Sequence, residues 1–126
     1  MQLFLLAAAG GAIGAGVRYL VNQGFAHRGL IEFPWATLTV NVVGCFLMGV
    51  VVAMLAQRFE GSLELRAFLA TGILGGFTTF SAFSLEFATL LERGATTAAV
   101  TYVAASVILT LTAVFAGLIV ARTVLA

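Results

Sequence analysis

A chain of 126 residues that is 62% hydrophobic and only 9% charged, with a mean hydropathy of +1.15, has too much apolar surface to stay dispersed as a water-soluble domain. Its formal net charge is +1, from six arginines and five glutamates with no lysine, which offers no basic face for nucleic acid. An all-α integral membrane protein is expected. Charge-free runs from Trp35 to Ala56, Ala67 to Leu85 and Gly94 to Ala121, together with Leu3 to Val21 carrying only Arg18, each reach the roughly 20 residues that cross ~30 Å of hydrocarbon as a helix. Four spans use nearly all of the chain. Residues 1–126 are therefore read as a single transmembrane domain whose function lies in the helices and their short links.

Span 1 is expected over about Leu3 to Gln23. It starts without a positively charged leading segment and is read as a retained helix, not a cleaved signal peptide. Gly10, Gly14 and Arg18 recur at four-residue steps on one face, with Gly11 and Ala15 beside them. Small residues at that spacing let helix backbones approach in lipid, and an arginine on the same face points inward or to the interface because of its cost in hydrocarbon. Pro34 and Trp35 open span 2, which runs to about Gln57 and places Thr37, Asn41, Gly44, Cys45, Met48 and Gly49 along one side. Cys45 has no partner for a disulfide and reads as a small packing residue.

Span 3, about Glu64 to Leu91, contains the least ordinary stretch, Thr71 to Glu86. Glycines at 72, 75 and 76 each lower helix propensity by ~1 kcal/mol relative to alanine. Alone they would read as a packing surface. With Thr78, Thr79, Ser81 and Ser84 adjacent, the helix is expected to break near Thr78, and freed carbonyls at such a break can hold a cation. Phe77, Phe80, Phe83 and Phe87 fall at helical spacing. A single phenylalanine in such a chain is usually core or lipid-facing, but ring edges carry positive quadrupole charge and can attract a small anion. Asn41 supplies an amide donor, equally well suited to a helix–helix hydrogen bond or to an ion. Glu86 lies ~12 Å of helix from the break, a depth that suits a pore entrance or a pairing partner. Span 4 continues to about Arg122 and carries Tyr102, Ser106 and Thr110 as a hydroxyl stripe, a polar track unless those hydroxyls bond back to their own carbonyls.

No catalytic constellation is present. His27 lies in a link, no serine has an evident base, and Gly10 to Gly14 follows no strand that could make it a phosphate loop. An enzyme is not expected. Alternation of the spans puts Arg58, Arg66 and Arg122 on one side of the membrane and Arg18, Arg28 and Arg93 at or near the other. Three against three sets no orientation by the positive-inside rule. The favoured explanation is insertion both ways and assembly as an antiparallel homodimer, since four short helices hardly enclose a polar path and closed two-fold dimers are common.

Gly14-Ala-Gly-Val-Arg-Tyr19, Asn41-Val-Val-Gly44 and above all Gly75-Gly-Phe-Thr-Thr-Phe-Ser-Ala-Phe-Ser84 give the chain its identity: over essentially all 126 residues it resembles the bacterial Fluc/CrcB fluoride channels. That resemblance implies a dual-topology, antiparallel homodimer in the bacterial inner membrane that conducts fluoride passively and lowers its cytoplasmic level. It implies a fluoride pathway through Asn41, Phe80, Ser81, Phe83, Glu86, Tyr102, Ser106 and Thr110. It also implies a structural Na⁺ at the two-fold axis on the carbonyls of Gly75 and Thr78, and a structural or electrostatic role for Arg18. The competing classes are a proton-coupled exporter of the small multidrug type, which needs a buried carboxylate that span 1 lacks, and a non-transporting assembly subunit, which leaves the hydroxyls and rings without a role.

Overall fold

The computed structural model describes residues 1–126. Four helices are long and apolar enough to cross a membrane, and there are no strands. Helix α1 spans Gln2–His27 and α2 spans Trp35–Arg58, with Pro34 as its N-cap and not inside its first turn. The third span, Leu63–Glu92, is divided. Its first part, α3 (63–77), begins with Ser62 accepting from the Leu65 N–H and then takes wide π-type turns over Arg66–Leu74 before a last tight turn at Gly75–Phe77. Its second part, α4, spans Ser81–Glu92. The last span, α5, covers Thr96–Leu125. The spans exceed the sequence expectation mostly by polar ends: α1 continues through Gly24 to His27, where the helix ladder outlasts the apolar run.

Helices α1 and α4 stop in the same way. Gly29 and Gly94 sit at φ +73° and +77°, and the bonds Leu30 N–H to Phe25 O and Ala95 N–H to Leu90 O close each end over six residues. Only glycine takes that left-handed position without strain, so the two links stay short.

Two seams of small residues hold the bundle. On the first, α1 lies on α3: a Cβ at Gly10 would strike the Phe68 carbonyl, one at Gly14 the Ile73 carbonyl, and one at Gly76 the Gly11 backbone. On the second, α2 lies on α5, where Gly49 meets the Val114 carbonyl and Gly117 the Phe46 carbonyl. Backbones in such contact gain dispersion along their whole length, the main attraction available where lipid is as apolar as leucine. A small core of Leu38, Leu90, Ala99 and Tyr102 fills the space between α2, α4 and α5, while long side chains such as Phe4, Ile108 and Phe115 face outward.

The expected interruption of span 3 is present, and it lies at Thr78 to Phe80, beyond the glycines. Thr78 is extended (φ −82°, ψ 158°), whereas Gly72, Gly75 and Gly76 remain in helical turns. Gly72 and Gly76 do the packing work against α1; the break is made by side chains that compete for the backbone.

Candidate functional site

Two side chains from other helices and one hydroxyl of the break itself hold it open. Asn41 on α2 grips Thr79 twice: its Nδ2 donates to the Thr79 carbonyl at 3.0 Å and its Oδ1 accepts from the Thr79 N–H at 2.8 Å. Arg18 on α1 donates from Nε to the Gly76 carbonyl at 3.1 Å. The Thr79 hydroxyl accepts from Ala82 N–H at 3.2 Å and so starts α4. These bonds have a consequence for two carbonyls. In a continuous helix Gly75 O would accept from the Thr79 N–H and Thr78 O from the Ala82 N–H, but both donors are taken elsewhere. Gly75 and Thr78 therefore present acceptor oxygens with no helical partner.

Asn41 retains one more N–H than it spends on Thr79, because an amide nitrogen carries two. It faces a cavity of about 360 Å³ lined by Asn41, Cys45, Gly75, Thr78, Thr79, Phe80, Phe83, Ser106, Val107 and Thr110. Residues from α2, the break, α4 and α5 thus meet around one space. Ser106 is 7% exposed and its Oγ is buried with no hydrogen-bond partner. The Thr110 hydroxyl, by contrast, donates back to the Ser106 carbonyl at 2.6 Å, so it is already committed. The Phe80 and Phe83 rings lie 5.4 Å apart and tilted by 52°, and Phe83 lies 5.1 Å from the Tyr102 ring.

Five residues of the sequence-derived pathway line this cavity: Asn41, Phe80, Phe83, Ser106 and Thr110. The other three are elsewhere. Tyr102 is fully buried in the small core, and its hydroxyl has no partner. Ser81 is exposed at the start of α4, its Oγ 3.3 Å from the Thr79 hydroxyl. Glu86 accepts from the Thr37 hydroxyl at 2.6 Å and lines two smaller cavities, of about 180 and 160 Å³, near the first and third links. The stripe on α5 separates because four residues turn a helix by 40° more than one turn, so Tyr102 and Thr110 are carried to different neighbours. Cys45, read from the sequence as packing, is on the cavity wall one turn beyond Asn41; its spacing from Asn41 was the available signal.

The cavity is open on the outside of the single chain. Phe80 is 78% exposed, and Gly75 beside it is exposed as well. Interrupted backbone facing lipid would leave polar groups unsatisfied, and irregular structure at membrane depth persists only against protein or water.

Comparison with known proteins agrees in one direction. Residues 5–118 match the model of the family described as CrcB-like protein, Camphor Resistance (CrcB). The chain is 52% identical over 126 residues, the full length of both proteins, to a protein of Rhodospirillum centenum named fluoride-specific ion channel FluC. It is 56% identical over 118 residues, 94% of each chain, to one of the same name from Mesorhizobium japonicum, and 50% identical over 117 residues to one from Agrobacterium fabrum, covering 93% of this chain and 94% of that protein.

Proposed function

The chain belongs to the CrcB-like family, and on that premise we propose that it is a fluoride-specific ion channel of the bacterial inner membrane whose conduction path is the cavity around Asn41 and the break. The observation that carries this reading is the donor set: a second amide N–H of Asn41 and two phenylalanine rings border one space, and an unpartnered Ser106 hydroxyl is buried in its wall. Fluoride is small and strongly hydrated. A pathway for it must replace water with several weak donors and hold the ion loosely enough to release it. An amide, a hydroxyl and ring edges meet both conditions, and the cavity lining contains no lysine or arginine that would trap the anion.

In this reading the polar route continues past Phe83 and Tyr102 to the Thr37–Glu86 pair, with Ser81 at the mouth. The open side of the cavity, with Phe80 exposed, is closed by a second copy of the chain in antiparallel orientation, which supplies the protein surface that interrupted backbone needs at membrane depth. The free carbonyls of Gly75 and Thr78 fit a hard monovalent cation. Paired across a two-fold axis they would offer four oxygens to Na⁺, and that ion would fix the two breaks against each other. Arg18 withdraws the intervening Gly76 carbonyl from the set.

Purified protein in proteoliposomes loaded with fluoride tests this. Electrogenic fluoride loss without a proton gradient, and no loss of chloride, is expected; tight retention of fluoride, or loss that requires a proton gradient, would overturn the channel. Cysteines engineered at opposite membrane faces should cross-link between copies only if the dimer is antiparallel. Replacing Na⁺ by a large organic cation should lower thermal stability if the carbonyl site is real.

A further inference from the structure

The main cavity and the cavity of about 180 Å³ beside the first link share no wall residue. A row of three rings stands between them. Phe83 lines the main cavity, its ring lies 5.1 Å from that of Tyr102, and the Tyr102 ring lies 5.5 Å from Phe33, edge to face at 79°. Phe33 in turn lines the second cavity together with Glu86. The three rings are not held alike. Phe83 and Tyr102 stand on helices, and Tyr102 is fully buried. Phe33 belongs to the link just before α2, where it is half-buried, packed on the small core and 4.7 Å from the exposed Trp35 ring. The chain beside it is tied down from the third link, where Arg93 Nη2 donates to the Glu32 carbonyl at 3.0 Å.

We propose that Phe33 is a selectivity-determining residue: its ring closes the partition between the two cavities and yields an opening that fluoride passes and chloride does not. The inference rests on the reading of the route as running from the main cavity past Tyr102 to Glu86. An ion that follows this route meets the partition, and Phe33 is the ring of the three that can change rotamer without moving a helix, since one side of it is free. An apolar constriction obstructs an ion by denying it water. Ring edges of Phe33 and Tyr102 return part of what is lost, because their hydrogens carry positive charge. That return is largest for the anion that approaches most closely. Chloride is larger, needs a wider opening and gains less from each edge, so the same ring that admits fluoride holds chloride back. Bulk at position 33 is therefore the quantity that sets the sieve.

A size series tests this: Phe33→Leu, Phe33→Val and Phe33→Ala, each as the full-length protein in proteoliposomes loaded with potassium fluoride or potassium chloride, with valinomycin to carry the compensating K⁺. Wild type should release fluoride and retain chloride. Chloride release should appear as the side chain shrinks, least in Phe33→Leu, more in Phe33→Val and most in Phe33→Ala, while fluoride release rises severalfold over the same series. A ring that only filled the core would give another pattern, with fluoride release falling in step with the melting temperature and chloride retained throughout. That pattern would overturn the proposal, as would chloride retention at the wild-type level by folded, monodisperse Phe33→Ala. Should the alanine variant fail to fold, Phe33→Val decides by the same criterion, since it removes the ring but keeps a branched apolar side chain against the core. Wild-type efflux separates the two readings: its absence would remove the channel assignment and this proposal with it, whereas normal wild-type efflux with unaltered selectivity in every folded variant removes only the role of Phe33.

Discussion

Before its break, the third span lies backbone to backbone on α1, with Gly72 and Gly76 against Gly10 and Gly11. After it, α4 meets α5 through rings, Phe83 on Tyr102, and turns Phe80 outward with 78% of its surface exposed. One half spends Gly72 and Gly76 on close contact with α1. The other half packs by rings and, with Gly75 and the break, borders a cavity of about 360 Å³. The lesson is that a single apolar span can serve as anchor and as pathway when a few hydrogen bonds, here from Asn41 and Arg18, separate the two halves.

The sharpest way to break this contrast is on the anchor side. Gly14→Val places a Cβ against the Ile73 carbonyl, where backbone on both sides cannot yield. A loss of ~3 kcal/mol or more is expected, seen as collapse of the melting transition or of monodisperse yield in detergent. Gly16→Val is the control: nothing stands within 4 Å of its Cβ, so it should melt near wild type. Equal melting of the two variants would mean that the seam is not where α1 and α3 meet.

On the pathway side, Phe80→Ile removes a ring that is mostly exposed and packs within the chain against Phe83. Fluoride efflux should fall about tenfold, the rate equivalent of ~1.4 kcal/mol of lost ring-edge attraction; normal efflux would remove the rings from the mechanism. Ser106→Ala should lower efflux severalfold, about 1 kcal/mol, because its hydroxyl has no other duty. Thr37→Val, which deletes the 2.6 Å bond to Glu86, should give a similar or smaller deficit. Thr110→Val should have the least effect, since that hydroxyl is already bonded to the Ser106 carbonyl. Reversal of the order between positions 106 and 110, measured side by side, would contradict the geometry.

Much of this was legible in the residues. Four charge-free runs mark four spans because hydrocarbon thickness fixes their length, and Gly10 and Gly14 announce a close contact by spacing alone. The break near Thr78 could be anticipated, but its cause could not: propensity points to the glycines, whereas the helix yields three residues later, where Asn41 captures Thr79 from a residue 38 positions away. Glu86 is drawn off the main cavity by Thr37, a partner 49 positions away. Tyr102 and Cys45 exchange expected places for a related reason. Which side of a helix faces a cavity depends on the neighbours' placement, and local pattern carries no record of that.

Asn41→Asp tests the central claim most directly, because it changes one atom group at the point where α2, the break and the cavity meet. The aspartate carboxylate can still accept from the Thr79 N–H, so the break has a holder, but it loses the amide donor and sets a negative charge in the anion's way. Fluoride efflux from proteoliposomes should drop by about 100-fold or more, equivalent to ~3 kcal/mol for an uncompensated charge, with a folded, monodisperse protein. Wild-type efflux from that variant would contradict a fluoride path through this cavity.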